Sequence, residues 1–189
     1  MPPSVLGYVA GVSLGTHAIF CYEDVEEARE VFASYVNGGR EKNETVYILA
    51  SSRESFDDFL QSMRLIAPHA EQRINCLEMN KFSSKTKGID YESALAHMKL
   101  PLDEVRELGF GGYRIFILGN DYLDYITADR VLQFEKQLGH NFTFPMAAIC
   151  AYNLAEVEGR WDEVLLELLK AHGAHIFRGL AGSGGEVVS

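Results

Sequence analysis

The sequence predicts an α/β domain with a mainly parallel sheet and helices on both faces. Short apolar runs alternate with amphipathic stretches along nearly the whole chain, the pattern of repeated βαβ crossovers. Two runs, His17–Tyr22 (HAIFCY) and Tyr113–Leu118 (YRIFIL), are almost continuously apolar, as strands covered on both faces are. The chain has 189 residues, 47% hydrophobic and 23% charged, which suits one globular core and excludes a disordered or disulfide-stapled chain.

Each element has its own signal. After HAIFCY, apolar residues at helical spacing (Val25, Ala28, Val31, Phe32, Tyr35, Val36) predict a helix. Glu23 and Asp24 sit at its start, where the helix dipole favours acids, and Asn37-Gly38-Gly39 reads as its stop. Thr45–Ala50 (TVYILA) is a second strand. Ser51–Ser55 offers caps for a helix over Phe56–Ile66 that ends before Pro68, and Ile74–Met79 is a third strand. A helical stretch from Tyr91 to Leu108 is broken or kinked at Pro101 and closed by Gly109–Gly112, before YRIFIL. Asp129–Leu138 is a helix, Met146–Tyr152 a strand, Trp161–Ala171 a helix, and His175–Phe177 a last short strand. The expected division is an N-terminal segment 1–14, a domain 15–178 and a loose tail 179–189.

Charge and composition exclude several classes. Seventeen Lys and Arg against 27 Asp and Glu give a net charge of −10, with no basic block, so unaided nucleic-acid binding is not expected. No apolar run reaches the ~18 residues of a membrane span, and the N-terminus lacks the pattern of a signal peptide. Cys21, Cys76 and Cys150 are odd in number and far apart, so no disulfide framework is implied. The expectation is a reduced, cytoplasmic protein.

The common catalytic motifs fail. Gly11-Val12-Ser13-Leu14-Gly15 has the letters of a nucleophile elbow, but a strand succeeds it where a helix is required. Neither a phosphate-binding loop with its Gly-Lys pair nor a G-x-G-x-x-G occurs. There is no C-x-x-C, and His172 and His175 have no nearby carboxylate at zinc-protease spacing. His17 and Cys21 are four residues apart on one strand, ~13 Å, too far to share an ion. The expectation is no metal and no cofactor.

Position along the strands is more informative. Parallel sheets bind ligands beyond the carboxyl ends of their strands. Those ends carry Tyr22 and Glu23, Ser51, Asn120 and Asp121, and Cys150, Tyr152 and Asn153, a rim of rings, amides and hydroxyls suited to a small polar or amphipathic ligand. The same residue types also gather at strand ends as caps and turn formers.

The segment THAIFCYEDVEEAREVFASYVNGGREKNETVYILASS resembles the opening of the MEDS family, the methanogen/methylotroph sensory domain. His17, Phe20, Tyr22 and Glu23 match its first strand. Gly38-Gly39 match its glycine-rich helix exit, and Val46–Ala50 its second apolar strand. GYRIFILGNDY, CAYN (Cys150, Tyr152, Asn153) and His172 match later elements, so the resemblance spans roughly 15–178. The layout is also similar to KaiC/RecA-like ATPases, which implies a three-layer sandwich. Here, though, Glu23, Asp24, Glu26 and Glu27 stand where those enzymes carry the phosphate-binding loop, which implies that ATP hydrolysis is lost.

The resemblance implies a non-catalytic sensor of small organic molecules, including hydrocarbon derivatives, in prokaryotic signalling or transcriptional regulation. With 14 residues before Gly15 and about 11 after Arg178, no helix-turn-helix fits, so output is expected through a homodimer or a regulatory partner. His17 begins a strand, whereas Cys150 ends one. The expectation is therefore opposite rims, with His17 and His172 bracing the fold or forming a polar site apart from the ligand pocket. Two other readings stay open: a divergent nucleotide hydrolase using Glu54 or Asp121 with a metal, and a ligand-free interaction module.

Overall fold

The structure is a computed structural model that describes residues 4–63, 74–81, 83–84, 88–156, 161–177 and 186–188. In chain order it contains α1 (Val5–Gly11), β1 (His17–Tyr22), α2 (Val25–Glu41), β2 (Glu44–Ala50), α3 (Arg53–Met63) and β3 (Ile74–Glu78). A small antiparallel pair, β4 (Ser83–Ser84) and β5 (Gly88–Ile89), precedes α4 (Tyr91–Lys99), α5 (Pro101–Glu107), β6 (Gly112–Leu118) and α6 (Gly119–Tyr125). Then come α7 (Ala128–Leu138), β7 (Met146–Asn153), α8 (Trp161–Ala171), β8 (Ala174–Phe177) and β9 (Glu186–Val188).

Seven strands form one sheet in the order β3-β2-β6-β7-β1-β8-β9. Every pair in it is parallel except β8 with β9. Alternating residues send side chains to opposite faces, and the two faces build two cores. Val5, Val9, Val31, Phe32, Tyr35 and Phe56 from α1, α2 and α3 cover one face. Ala94, Met98, Val105, Val131, Phe134 and Leu168 from α4, α5, α7 and α8 cover the other. The expected α/β sandwich is therefore the fold. Pro101 opens α5 at the position where its missing N–H costs nothing, so the predicted break is a new helix. The predicted end of the helix before Pro68 lies outside the described residues.

One expectation needs correction. Gly38 and Gly39 do not stop α2, which runs through both to Glu41. They are packing positions: a Cβ on Gly38 would stand 2.1 Å from the Ala10 carbonyl oxygen, and one on Gly39 would stand 3.2 Å from the Arg114 side chain. The bare backbone lets α1 lie against α2. In α1 and just after it, Val5, Val9 and Val12 are buried in the core. Near the C-terminus, Glu186–Val188 add an edge strand to β8.

Arg114, fully buried on β6, ties these parts together. Its Nε donates to Glu44 Oε2 at 2.6 Å. Nη1 donates to the carbonyls of Val9 and Tyr35, and Nη2 to those of Ala10 and Val12, at 3.0–3.3 Å. An arginine has five N–H donors, and all five are used, so one side chain satisfies the carbonyl end of α1 and joins it to α2 and β2. Truncating one member of a buried ion pair strands the other charge and typically costs about 3–5 kcal/mol. We predict a loss of that order for Arg114→Ala in urea unfolding, and a double variant with Glu44→Gln that loses less than the sum of the two single changes.

Candidate functional site

The carboxyl ends of β1, β6 and β7 open on a cleft of about 240 Å³ lined by Tyr22, Ser55, Asp58, Phe59, Leu118, Asn120 and Asp121, among others. Of the eight residues expected at the ligand rim, Tyr22, Asn120 and Asp121 line it. Asp121 Oδ2 accepts from the backbone N–H of Ser51 (3.1 Å), from the Ser51 hydroxyl (3.1 Å) and from the Ser55 hydroxyl, so Ser51 braces the wall. Asn120 Nδ2 donates to the Asn153 carbonyl (3.1 Å), and the Asn153 N–H donates back to Asn120 Oδ1 (2.7 Å). Those two asparagines staple β7 to α6. Glu23 is exposed beside the strand end.

The start of α2 is already occupied. The Asp24 carboxylate accepts from the Glu26 N–H at 2.8 Å, and Glu26 and Glu27 stand in the first turn. A helix N-terminus attracts anions through its free N–H groups and dipole, and here the protein's own carboxylates take that place.

Cys150 and Tyr152 point away from the cleft, into the opposite core, and are 0% and 1% exposed. Here the expected separation of His17 from Cys150 is overturned, for Cys150 Sγ lies 3.5 Å from His17 Nε2. The reason is register. His17 pairs with Ala148 and Ile19 with Cys150, so Cys150 is two positions beyond His17's partner, in mid-strand and on the same face. His17 and His172 do share one site, their ring centroids 4.1 Å apart.

Sequence reasoning missed the fourth member, Glu135 on α7. Its Oε2 lies 3.2 Å from His17 Nε2 and 3.6 Å from His172 Nε2, with all three side chains essentially buried. The signal was present: Glu135 falls among Val131, Phe134 and Leu138 on the buried stripe of α7, where a charge needs a partner.

The protons are placed by the outer contacts. His17 Nδ1 lies 2.7 Å from the Gly139 carbonyl, and His172 Nδ1 lies 2.7 Å from the Leu168 carbonyl. A carbonyl only accepts, so each Nδ1 carries the proton and each Nε2 is turned inward. Burial, with His17 second, lowers the His172 pKa to about 4, which keeps that ring neutral. Burial acts to raise the Glu135 carboxyl, but the two histidines outweigh it and the net direction is down. Burial, reinforced by Glu135, holds the Cys150 thiol well above its ordinary value. Glu135 Oε2 and His172 Nε2 are both buried without a hydrogen bond, as is the Tyr122 hydroxyl.

The fold and site define a parallel α/β domain with an open cleft at its carboxyl rim and a buried polar cluster behind it. The chain belongs to the MEDS family, the MEthanogen/methylotroph, DcmR Sensory domain, whose family model matches residues 16–173. Among solved structures, a protein from Pyrococcus horikoshii OT3 is similar with a TM-score of 0.63 and 13% identity, over 97% of this chain and 91% of that one. That likeness concerns the fold alone. No curated protein sequence matches the chain. Among the described residues no helix is long and apolar enough to cross a membrane.

Gly139 aims the carbonyl that orients His17. It has φ 72° and ψ −177°, a combination essentially restricted to glycine and costing a side chain about 1–3 kcal/mol. A Cβ there would meet no atom within 4 Å, so strain alone is at issue. Gly139→Ala is expected to lower the urea-unfolding free energy by that amount.

Proposed function

We propose that this chain is a non-catalytic sensory domain that binds a small organic molecule, of the hydrocarbon-derivative class, in the cleft at the carboxyl rim. The observation that carries this reading is the cleft itself, set where parallel sheets bind ligands, in a chain that belongs to a sensory family. Its walls combine rings (Tyr22, Phe59) with polar groups (Ser55, Asp58, Asn120). Its volume of about 240 Å³ falls below the ~300–1,000 Å³ of drug-sized ligand pockets, which favours a small occupant. The ring of Tyr22 would cover the apolar part of such a molecule while Asp58 meets a polar end.

The nucleotide-hydrolase reading has less support. Glu23, Asp24, Glu26 and Glu27 crowd the first strand end, and Asp24 caps the helix that would receive phosphate. Asp121, the residue that would serve a catalytic metal, is committed to Ser51 and Ser55. In our reading output passes to a regulatory partner or through a homodimer, with α6 as the carrier. This helix presents Asn120 and Asp121 to the cleft and buries Tyr122 near Glu135 and Cys150, so ligand contact at the rim bears on the core.

Native mass spectrometry of freshly purified protein, with a parallel sample in ATP and Mg²⁺, tests this reading. The expected result is a retained small organic adduct, no ATP adduct, and loss of the organic adduct in Tyr22→Ala with its circular dichroism spectrum intact. A stoichiometric ATP or ADP complex, or an organic adduct held equally by Tyr22→Ala, contradicts it.

A further inference from the structure

We propose that His17, Glu135, Cys150 and His172 form a buried site for one divalent transition-metal ion, zinc being the ion their donor atoms fit best. One donor atom from each residue can be chosen so that all four lie within 4.8 Å of one another. A tetrahedral ion with bonds of ~2.0–2.3 Å sets its ligand atoms about 3.3–3.6 Å apart. Three contacts already stand near that spacing: His17 Nε2 to Glu135 Oε2 at 3.2 Å, His172 Nε2 to Glu135 Oε2 at 3.6 Å, and His17 Nε2 to Cys150 Sγ at 3.5 Å. The remaining donor separations are no more than 4.8 Å, so the ion would draw these side chains together.

Three independent features point to a cation. Each histidine donates its Nδ1–H to a backbone carbonyl, the outer contact that metal-binding histidines make, and this directs the Nε2 lone pair inward. His172 Nε2 and Glu135 Oε2 face each other at 3.6 Å, both buried and without a hydrogen bond. A cation between them supplies the partner that both lack. Charge also balances: one carboxylate and one thiolate neutralise a divalent ion, so the filled site places no net charge in the core.

The donor set selects the ion. A thiolate with two imidazoles disfavours magnesium and calcium, which take oxygen ligands, and a tetrahedral set of this mixture suits zinc. On loading, the Cys150 thiol loses its proton to solvent and a Zn–S bond forms, with no change of oxidation state. With all four positions supplied by protein the site is closed, and its role is to fasten β1, β7, α7 and the α8–β8 junction together.

The full chain, purified without a histidine tag or metal resin, is assayed by elemental mass spectrometry, then stripped with chelator and titrated with Co²⁺. The expected results are about one zinc per chain and a Co²⁺ complex with a near-ultraviolet thiolate charge-transfer band and strong tetrahedral visible bands. Cys150→Ser loses the charge-transfer band, and Glu135→Gln weakens Co²⁺ binding at least by the ~10–100-fold that loss of an outer-shell partner costs, whereas Cys76→Ser changes neither. Circular dichroism of each variant separates lost binding from lost folding. If Cys150→Ser does not fold, Glu135→Gln decides. Absence of zinc and of Co²⁺ bands in the folded wild-type chain overturns the proposal, as does undiminished binding in a folded Cys150→Ser or Glu135→Gln.

Discussion

Both sites rest on the parallel pairing of β1 with β7, set so that His17 meets Ala148 and Tyr22 meets Asn153. In this register the inward face carries His17 beside Cys150, while the carboxyl ends bring Tyr22 to the mouth of the cleft. A slip of one residue would turn every side chain of β1 to the opposite face, sending His17 toward α1 and α2 and away from Glu135. The ladder extends one residue ahead of β1, where the Ala148 N–H donates to the Thr16 carbonyl at 2.9 Å, and on the β8 side the Gly173 N–H donates to the His17 carbonyl at 2.9 Å.

The molecule handles buried charge in two contrasting ways. On one face, Arg114 and Glu44 form a pair in which every arginine donor has an acceptor. This polar group costs little because it is complete, and it does a structural task in closing α1 onto α2. On the other face, two histidines, a glutamate and a cysteine converge, with each histidine Nδ1 bonded outward and two inner atoms, Glu135 Oε2 and His172 Nε2, left unsatisfied. A network finished on the outside and open at its centre has the form of a binding site, whereas Arg114 has that of a brace.

The fold was legible in the sequence because it is written in periodicity. HAIFCY, TVYILA, YRIFIL and MAAICAY could only be buried strands at the spacings they have, and the crossovers between them set parallel pairing. Gly38 and Gly39 misled because glycine signals both a helix end and a close helix contact. Only the neighbouring α1, known from the structure, separates the two. Arg114 was hidden in the middle of a strand, where nothing local reveals that α1 brings carbonyls to meet it. Of the eight residues read from strand ends, Tyr22, Asn120 and Asp121 line the cleft while Cys150 and Tyr152 turn into the opposite core, and the pairing of His17 with Cys150 depends on a register between residues 133 positions apart, which no local pattern encodes. Glu135 was readable as a lone acid on an apolar stripe, yet its partners come from β1, β7 and the segment after α8.

Whether the buried cluster is a metal centre is the claim on which the division between a braced core and an open cleft turns. The most direct measurement is anomalous diffraction on either side of the zinc absorption edge, from crystals of the full chain grown in zinc-supplemented medium. The expected result is one strong peak within about 2.0–2.3 Å of His17 Nε2, His172 Nε2, a Glu135 oxygen and Cys150 Sγ, with the cleft free of metal. A cluster without a peak in a fully folded chain, or zinc bound at Asp58 and Asp121 instead, would contradict it.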